Sequence, residues 1–201
     1  MTHTPPFAID PADTREAIML ATYRALCTHG YADLTIQRIG NEFSKSKSLL
    51  YHHYDSKDEL LLDFLSFMLD SLDEQLPVHQ SDGASDHLRA IVERMFAPTD
   101  EDGHGAFSRA MVELRAQAAH DDAYREHFTR SDQFFRKHIA HTIRSGIEQG
   151  VFQDVDANET AALLQTMFIG TMTQRVTGDE DALDATMTAL NEYIDSQLLL
   201  D

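Results

Sequence analysis

The stretch from Thr35 to Lys57 reads TIQRIGNEFSKSKSLLYHHYDSK. Its first part, Thr35 to Phe43, sets Ile36, Ile39 and Phe43 at the three-and-four spacing of one helix face. Thr35 is placed to cap that helix, because its hydroxyl can accept a bond from a backbone N–H left unpaired in the first turn. Ser44-Lys45-Ser46 breaks the pattern. Ser46 is positioned to cap a second helix from Lys47 to Tyr54, on which Leu50 and Tyr54 face inward. Lys47, Ser48, Leu49, Tyr51, His52 and His53 are left outside. That outer face combines a cation, hydroxyls, imidazoles and an apolar tip, a mixture suited to the donors, acceptors and thymine methyls of a DNA major groove. Two helices joined by a short turn, the second bearing such a face, form the helix-turn-helix pattern.

Here the chain resembles the tetracycline-repressor-type (TetR/AcrR) regulators. The resemblance rests on Thr35, the Ile39-Gly40 pair, the run Leu50-Tyr51-His52-His53-Tyr54, and Ser56-Lys57-Asp58-Glu59-Leu60. The family pattern is Thr, a helix with Ile-Ala, a Gly-Val turn, Thr-Leu-Tyr-x-x-Phe and Ser-Lys-Glu-Glu-Leu. By this resemblance Thr35, Tyr51 and Lys57 would hold phosphates, while Gln37, Lys47, Ser48, Leu49, His52 and His53 would lie near bases. Ser44 stands where the family usually has a turn glycine, which predicts a mildly strained left-handed backbone there. Lys45 replaces an apolar turn residue. Ser48 and Leu49 replace Gly-Thr, so the base-reading face is atypical.

The net charge of −18 is unusual for a DNA binder, but its distribution is uneven. Residues 1–57 hold six cations and six acids and are neutral; residues 58–201 hold ten cations and 28 acids. Three of the four lysines, Lys45, Lys47 and Lys57, fall in the reading head. An acidic, lysine-poor surface suits a protein dissolved in concentrated salt, where self-repulsion is screened, and predicts a halophilic source. The bland alternative is an ordinary acidic cytosolic protein. A single cysteine, Cys27, excludes an internal disulfide framework and reads as a small core residue rather than a redox sensor. Neither a membrane-spanning apolar run nor a signal peptide is evident, so a cytoplasmic location is expected.

Along the chain, residues 1–12 carry Pro5, Pro6 and Pro11 and read as a loose arm. A helix is expected from Asp13 to His29, with Asp13 and Glu16 as a capping box and Gly30 ending it. After the helix-turn-helix, Ser56 and Glu59 open a long helix that reaches Gln75 before Pro77. Further helical patterns cover 86–96, 106–119, 123–149, 158–176 and 181–200, separated by loops over 77–84 and 98–105 and a turn at 151–156. The expected fold is all-α with about nine helices. A DNA-binding domain spans 1–57, and a helical ligand-binding and dimerisation domain spans 58–201.

The C-terminal part is rich in adaptable Phe and Met, including Phe67, Met95 and Phe96. Most such residues are plain core, yet a large bundle can hold an apolar pocket between helices, as the resembled family does. The candidate lining is Phe64, Met68, Phe107, Met111, Phe134, Phe135, His138, Met167 and Phe168, with Arg109, Arg115, Gln133 and His138 as polar anchors. His138 and His141 have a workable metal spacing but no third ligand fixed by sequence, so no metal is expected. No nucleophile elbow, P-loop or dinucleotide motif occurs, which argues against an enzyme. By resemblance, the last two helices would pair with those of a second copy. Their candidate interface is Ala162, Gln165, Ile169, Met172, Met187, Leu190 and Ile194, with Gly170 allowing close approach and Leu183 and Leu198 continuing the apolar rhythm. The alternative is packing within one chain.

The expected function is a homodimeric, DNA-binding transcriptional repressor without a cofactor, released from operator DNA by a small, largely apolar ligand. The rivals are a DNA binder of the same fold without an effector, and a helical enzyme or adaptor.

Overall fold

The computed structural model describes residues 11–75, 83–96, 104–178 and 181–200. The arm over 1–10, the loops over 77–82 and 98–103, and the side chains of Met95, Phe96 and Leu183 lie outside the described residues. Among the described residues there are nine α-helices: α1 (Thr14–Asp33), α2 (Ile36–Glu42), α3 (Lys47–His53), α4 (Lys57–Gln75), α5 (Ala84–Phe96), α6 (His104–Gln117), α7 (Asp122–Glu148), α8 (Ala157–Thr177) and α9 (Asp181–Tyr193). The all-α expectation holds. None of the described helices is long and apolar enough to cross a membrane.

Short polar side chains set the helix starts by accepting orphan N–H groups. Asp13 accepts from the Glu16 N–H at 2.8 Å, and Asp156 accepts from Asn158 and Glu159. Ser56 accepts from Glu59 N–H at 3.1 Å while the Glu59 carboxylate takes the Asp55 N–H at 2.8 Å. Asp121 caps α7, accepting from Ala123 at 2.8 Å.

Two expected boundaries differ. The first helix runs on to Asp33, but Gly30 inside it has φ +67°, so the helical path breaks where the sequence places its end and one further turn follows. That left-handed backbone favours glycine. The last helix does not run regularly to Leu200. It widens over Ile194–Leu198 into a π-helical turn closed by Leu199 N–H on Ile194 C=O at 3.0 Å. Ile194 and Leu198 of this turn are both buried in the second core. The chain end then pairs with the turn after α7: Gln153 N–H donates to Leu198 C=O at 2.8 Å and Leu200 N–H to Val151 C=O at 3.1 Å.

The chain forms two compact units, residues 1–78 with 99–129 and residues 79–98 with 130–201. This division differs from a contiguous boundary at residue 57. Leu60, Leu61 and Phe64 of α4, Ala110 and Leu114 of α6, and Tyr124 and Phe128 of α7 are buried in one cluster with Ile18, Tyr23 and Leu26 of α1, Ile39 of α2 and Leu50 of α3. The second unit has its own core, built on Leu88 and Val92 of α5, Ile139 and Ile143 of α7, Ala161 and Leu164 of α8, and Leu190 and Ile194 at the end of the chain.

Candidate nucleic-acid interface

The reading helix α3 has seven residues, too short to persist by itself. Packing holds it. Leu50 is fully buried, Tyr54 nearly so, and α2 approaches so closely at Gly40 that a Cβ there would meet the Lys47 side chain at 3.2 Å. The Tyr54 hydroxyl donates to Asp63 of α4 at 2.6 Å, and Arg15 of α1 grips the same carboxylate through Nη2 at 2.6 Å and Nε at 3.2 Å. One carboxylate thus ties α1, α3 and α4. Burial alone would raise Asp63, but the bonds from Arg15 and Tyr54 outweigh it and hold the group below the usual carboxylate range.

Three local expectations change. Ser46 occupies the start of α3 but makes no capping bond; its hydroxyl pairs with that of Ser48 at 2.8 Å. Ser44 is not left-handed, since no described non-glycine residue has positive φ. The chain leaves α2 at Phe43 in an extended conformation, φ −82° and ψ 125°, so the family's turn glycine is not needed. Leu49 is half-buried against the core rather than wholly outside.

The remaining outer residues form one face. Tyr51 is 58% exposed, and His52 and His53 are exposed with rings 5.8 Å apart, edge to face. Lys47 and Ser48 are exposed, and Lys47 reaches Asn41 of α2. Thr35 and Gln37 are exposed at the start of α2, where the Thr35 hydroxyl accepts from Arg38 N–H at 3.1 Å. Lys57 is half-buried; its ammonium lies 3.9 Å from the centroid of the Tyr31 ring and donates to Tyr31 C=O at 3.2 Å. Lys45 reaches the Thr14 hydroxyl at 3.0 Å. No acid lies on α3 itself.

The nine expected pocket residues divide between the two units. Phe64 and Met68 are buried in the first core, with Phe107 and Met111 packed on it and the Phe107 ring 5.2 Å from Tyr23. Phe134 and Phe135 are half-buried on α7 with rings 5.5 Å apart, His138 meets the His87 ring at 5.5 Å, and Met167 and Phe168 pack on the second core. Arg109 and Gln133 are exposed, and Arg115 lies over the Phe128 ring at 4.7 Å. Among the described residues no group of three or more His, Cys, Asp or Glu could hold a metal ion. Cys27 is buried, and burial pushes its thiol up to about 11, which makes it a poor nucleophile.

The expected interface residues also divide. Ala162, Ile169, Met172 and Met187 are half-buried at the surface of the second unit. Leu190 and Ile194 belong to that unit's own core, at 0% and 1% exposure, and Gln165, at 3%, accepts from Arg136 at 3.1 Å. Leu190 and Ile194 therefore do not line an outer face, because the apolar rhythm of the last helix is spent inside the chain. The sequence pointed to Gly170 but not to the residues around it on α8: Leu163 is 44% exposed, and Thr166, Thr173 and Thr177 share its side with Gly170. The signal for them was the absence of any charged residue between Glu159 and Arg175.

Residues 18–64 match the family model described as bacterial regulatory proteins, tetR family, and residues 84–199 match that described as BetI-type transcriptional repressor, C-terminal. A TetR transcription regulator from Haloarcula marismortui has 36% identity and a TM-score of 0.80, with 92% of this chain and 97% of that chain covered. A regulator from Saccharomonospora viridis, solved in complex with choline, has 25% identity and a TM-score of 0.79, with 93% of this chain and 98% of that chain covered. The HTH-type transcriptional repressor AcnR of Corynebacterium glutamicum is 21% identical over 186 residues, which is 92% of this chain and 90% of AcnR.

Proposed function

Since this chain belongs to the tetR family of regulatory proteins and is a transcriptional repressor rather than an enzyme, we propose that it grips a two-fold operator as a homodimer and releases it when a small, largely apolar effector binds. The observation that carries this reading is the outer face of α3. Tyr51, His52, His53, Lys47 and Ser48 point away from a helix whose Leu50 and Tyr54 are buried, in the neutral part of an otherwise acidic chain. In the proposed complex, Thr35, Tyr51 and Lys57 position phosphates, and Gln37, Lys47, Ser48, Leu49, His52 and His53 read bases. Lys57 must leave the Tyr31 carbonyl to reach a phosphate.

The second copy docks on the outer side of α8. Leu163, Ala162, Ile169 and Met172 supply apolar area, and among the described residues no atom outside Gly170's own stretch of helix lies within 4 Å of a Cβ built there, which leaves room for a partner helix. A two-fold operator presents its half-sites one DNA turn apart, about 34 Å, and a two-fold dimer is the assembly that matches such a repeat. Within the first unit the effector site draws on Phe64, Met68, Phe107 and Met111, which belong to or pack on one apolar cluster. The choline in the Saccharomonospora regulator makes a small quaternary ammonium the first effector to test, since aromatic faces attract such cations. The Haloarcula relative and the net charge of −18 support a salt-adapted cytoplasm as the working environment.

The test is fluorescence anisotropy with a duplex taken from upstream of the protein's own coding region, with and without choline. Sub-micromolar specific binding over unrelated duplex, weakened by the ligand, is the expected result. Equal affinity for both duplexes would remove the repressor reading. Specific binding that neither choline nor a panel of apolar cations weakens would favour a binder without an effector.

A further inference from the structure

Asp58 opens α4, next to Lys57. Its Oδ1 accepts two tyrosine hydroxyls from different helices: Tyr31 of α1 at 3.1 Å and Tyr124 of α7 at 3.0 Å. The two rings meet edge to face, with centroids 6.5 Å apart. Tyr31 is also held from other sides. Its N–H donates to Glu113 of α6 at 2.6 Å, and its ring and carbonyl receive the Lys57 ammonium. The Glu113 carboxylate lies 3.0 Å from where a Cβ on Gly30 would stand, so the left-handed break in α1 lets α6 come this close. Helices α1, α4, α6 and α7 therefore meet at one tyrosine and one carboxylate, within the first compact unit.

This junction stands beside the reading helix. Only Tyr54, Asp55 and Ser56 separate α3 from α4, so the start of α4 fixes where α3 ends. Tyr124 is 1% exposed, on a helix that makes no proposed DNA contact. Burial and then the neighbouring Asp58 charge push the Tyr124 hydroxyl well above its ordinary range, so it remains a proton donor at any working pH.

We propose that Tyr31, Asp58 and Tyr124 form a clasp through which α7 sets operator affinity, with Asp58 as the positioning residue for the corner between α3 and α4. The inference rests on the repressor reading and names how that head is regulated. A hydroxyl donated to a carboxylate is a charge-assisted bond and contributes more than a neutral one. Losing it loosens the α3–α4 corner. Specific binding, which needs base edges aligned, then falls, whereas non-specific binding rests on phosphate charge, which the clasp does not supply.

The experiment compares wild type, Y124F, Y31F, D58N and the Y124F/D58N double variant. Affinities for the upstream duplex and for unrelated duplex are measured at one salt concentration, with thermal melts alongside. Y124F and Y31F keep the rings and lose only hydroxyls. Each is expected to lower specific affinity by about tenfold, the scale of one charge-assisted bond, with unrelated duplex bound as before. The double variant is expected to bind no more weakly than D58N, because both changes break one clasp. Wild-type operator affinity in both Y124F and Y31F would overturn the clasp, even if both melted early; so would equal loss on both duplexes, or losses in the double variant that simply add. Absence of specific binding by wild type would instead remove the repressor reading on which the clasp stands.

Discussion

The outer faces of α3 and α8 have one property in common and differ in another. Both are free of acids in a chain of net charge −18: α3 carries none, and α8 carries no charge between Glu159 and Arg175. The difference lies in the hydrogen bonds. On α8 the hydroxyls are turned inward: Thr166 donates to Ala162 C=O at 2.8 Å, Thr173 to Ile169 at 2.8 Å and Thr177 to Thr173 at 2.9 Å. What remains outside is methyl groups, Leu163, bare backbone at Gly170 and a single amide, that of Gln174. On α3 the imidazoles of His52 and His53 and the hydroxyl of Tyr51 stay at the surface. A face with its polar groups already satisfied suits an apolar mate; one with unspent donors and acceptors suits a polar lattice such as base edges.

The comparison can be broken in several places. The largest effect is expected from Ile194→Asp, which places a charge at a site 1% exposed inside the second core. A loss of about 3–5 kcal/mol follows from an unpaired buried charge, read as a melting temperature lower by about 10 °C or more. A variant that melted like wild type yet ran as a monomer would return Ile194 to the interface between copies. Next comes Gly170→Glu, on an open surface that one chain tolerates. It is expected to stay folded, run as a monomer in light scattering, and bind operator about a hundredfold more weakly, since one half-site is lost. An intact dimer would move the interface off α8.

Smaller effects are expected within the head. His52→Ala is expected to change sequence preference by about 1–3 kcal/mol at the bases it faces. Lys57→Ala is expected to weaken all duplexes alike and to flatten the salt slope by about one charge. If both variants lost affinity with preference unchanged, His52 would not read bases. The smallest effect is expected from salt. Counterion release weakens binding as salt rises, but screening relieves repulsion between DNA and the 28 acids of residues 58–201. Operator affinity from 0.2 to 3 M KCl is expected to change by only about tenfold, with folding followed by circular dichroism. A steep log-linear loss by folded protein would end the salt-adapted reading.

Much of the fold was legible because helix starts leave local marks. Thr35, Asp13 and Ser56 each cap where their types and spacing indicate. What the sequence hid was the partner of each apolar face. Leu190 and Ile194 repeat at helical spacing whether they meet their own chain or another, so periodicity alone could not separate core from interface. Ser46 looked like a cap by residue type, but a hydroxyl two residues away competed for it. Lys57 looked like a phosphate ligand by resemblance, and its present partner, Tyr31, is 26 residues distant in sequence. The pairing of Asp58 with Tyr124 spans 66 residues and leaves no local trace.

The burial of Cys27 beside Tyr23 has a use of its own. As the chain's sole thiol, it marks one place in the first core with a chemical handle that reagents reach only when that core opens. The rate at which a disulfide reagent consumes it, set against the rate for the unfolded chain, is therefore a clock for opening. Run with and without operator, that clock times how firmly DNA holds the head shut, without a dye or an engineered residue.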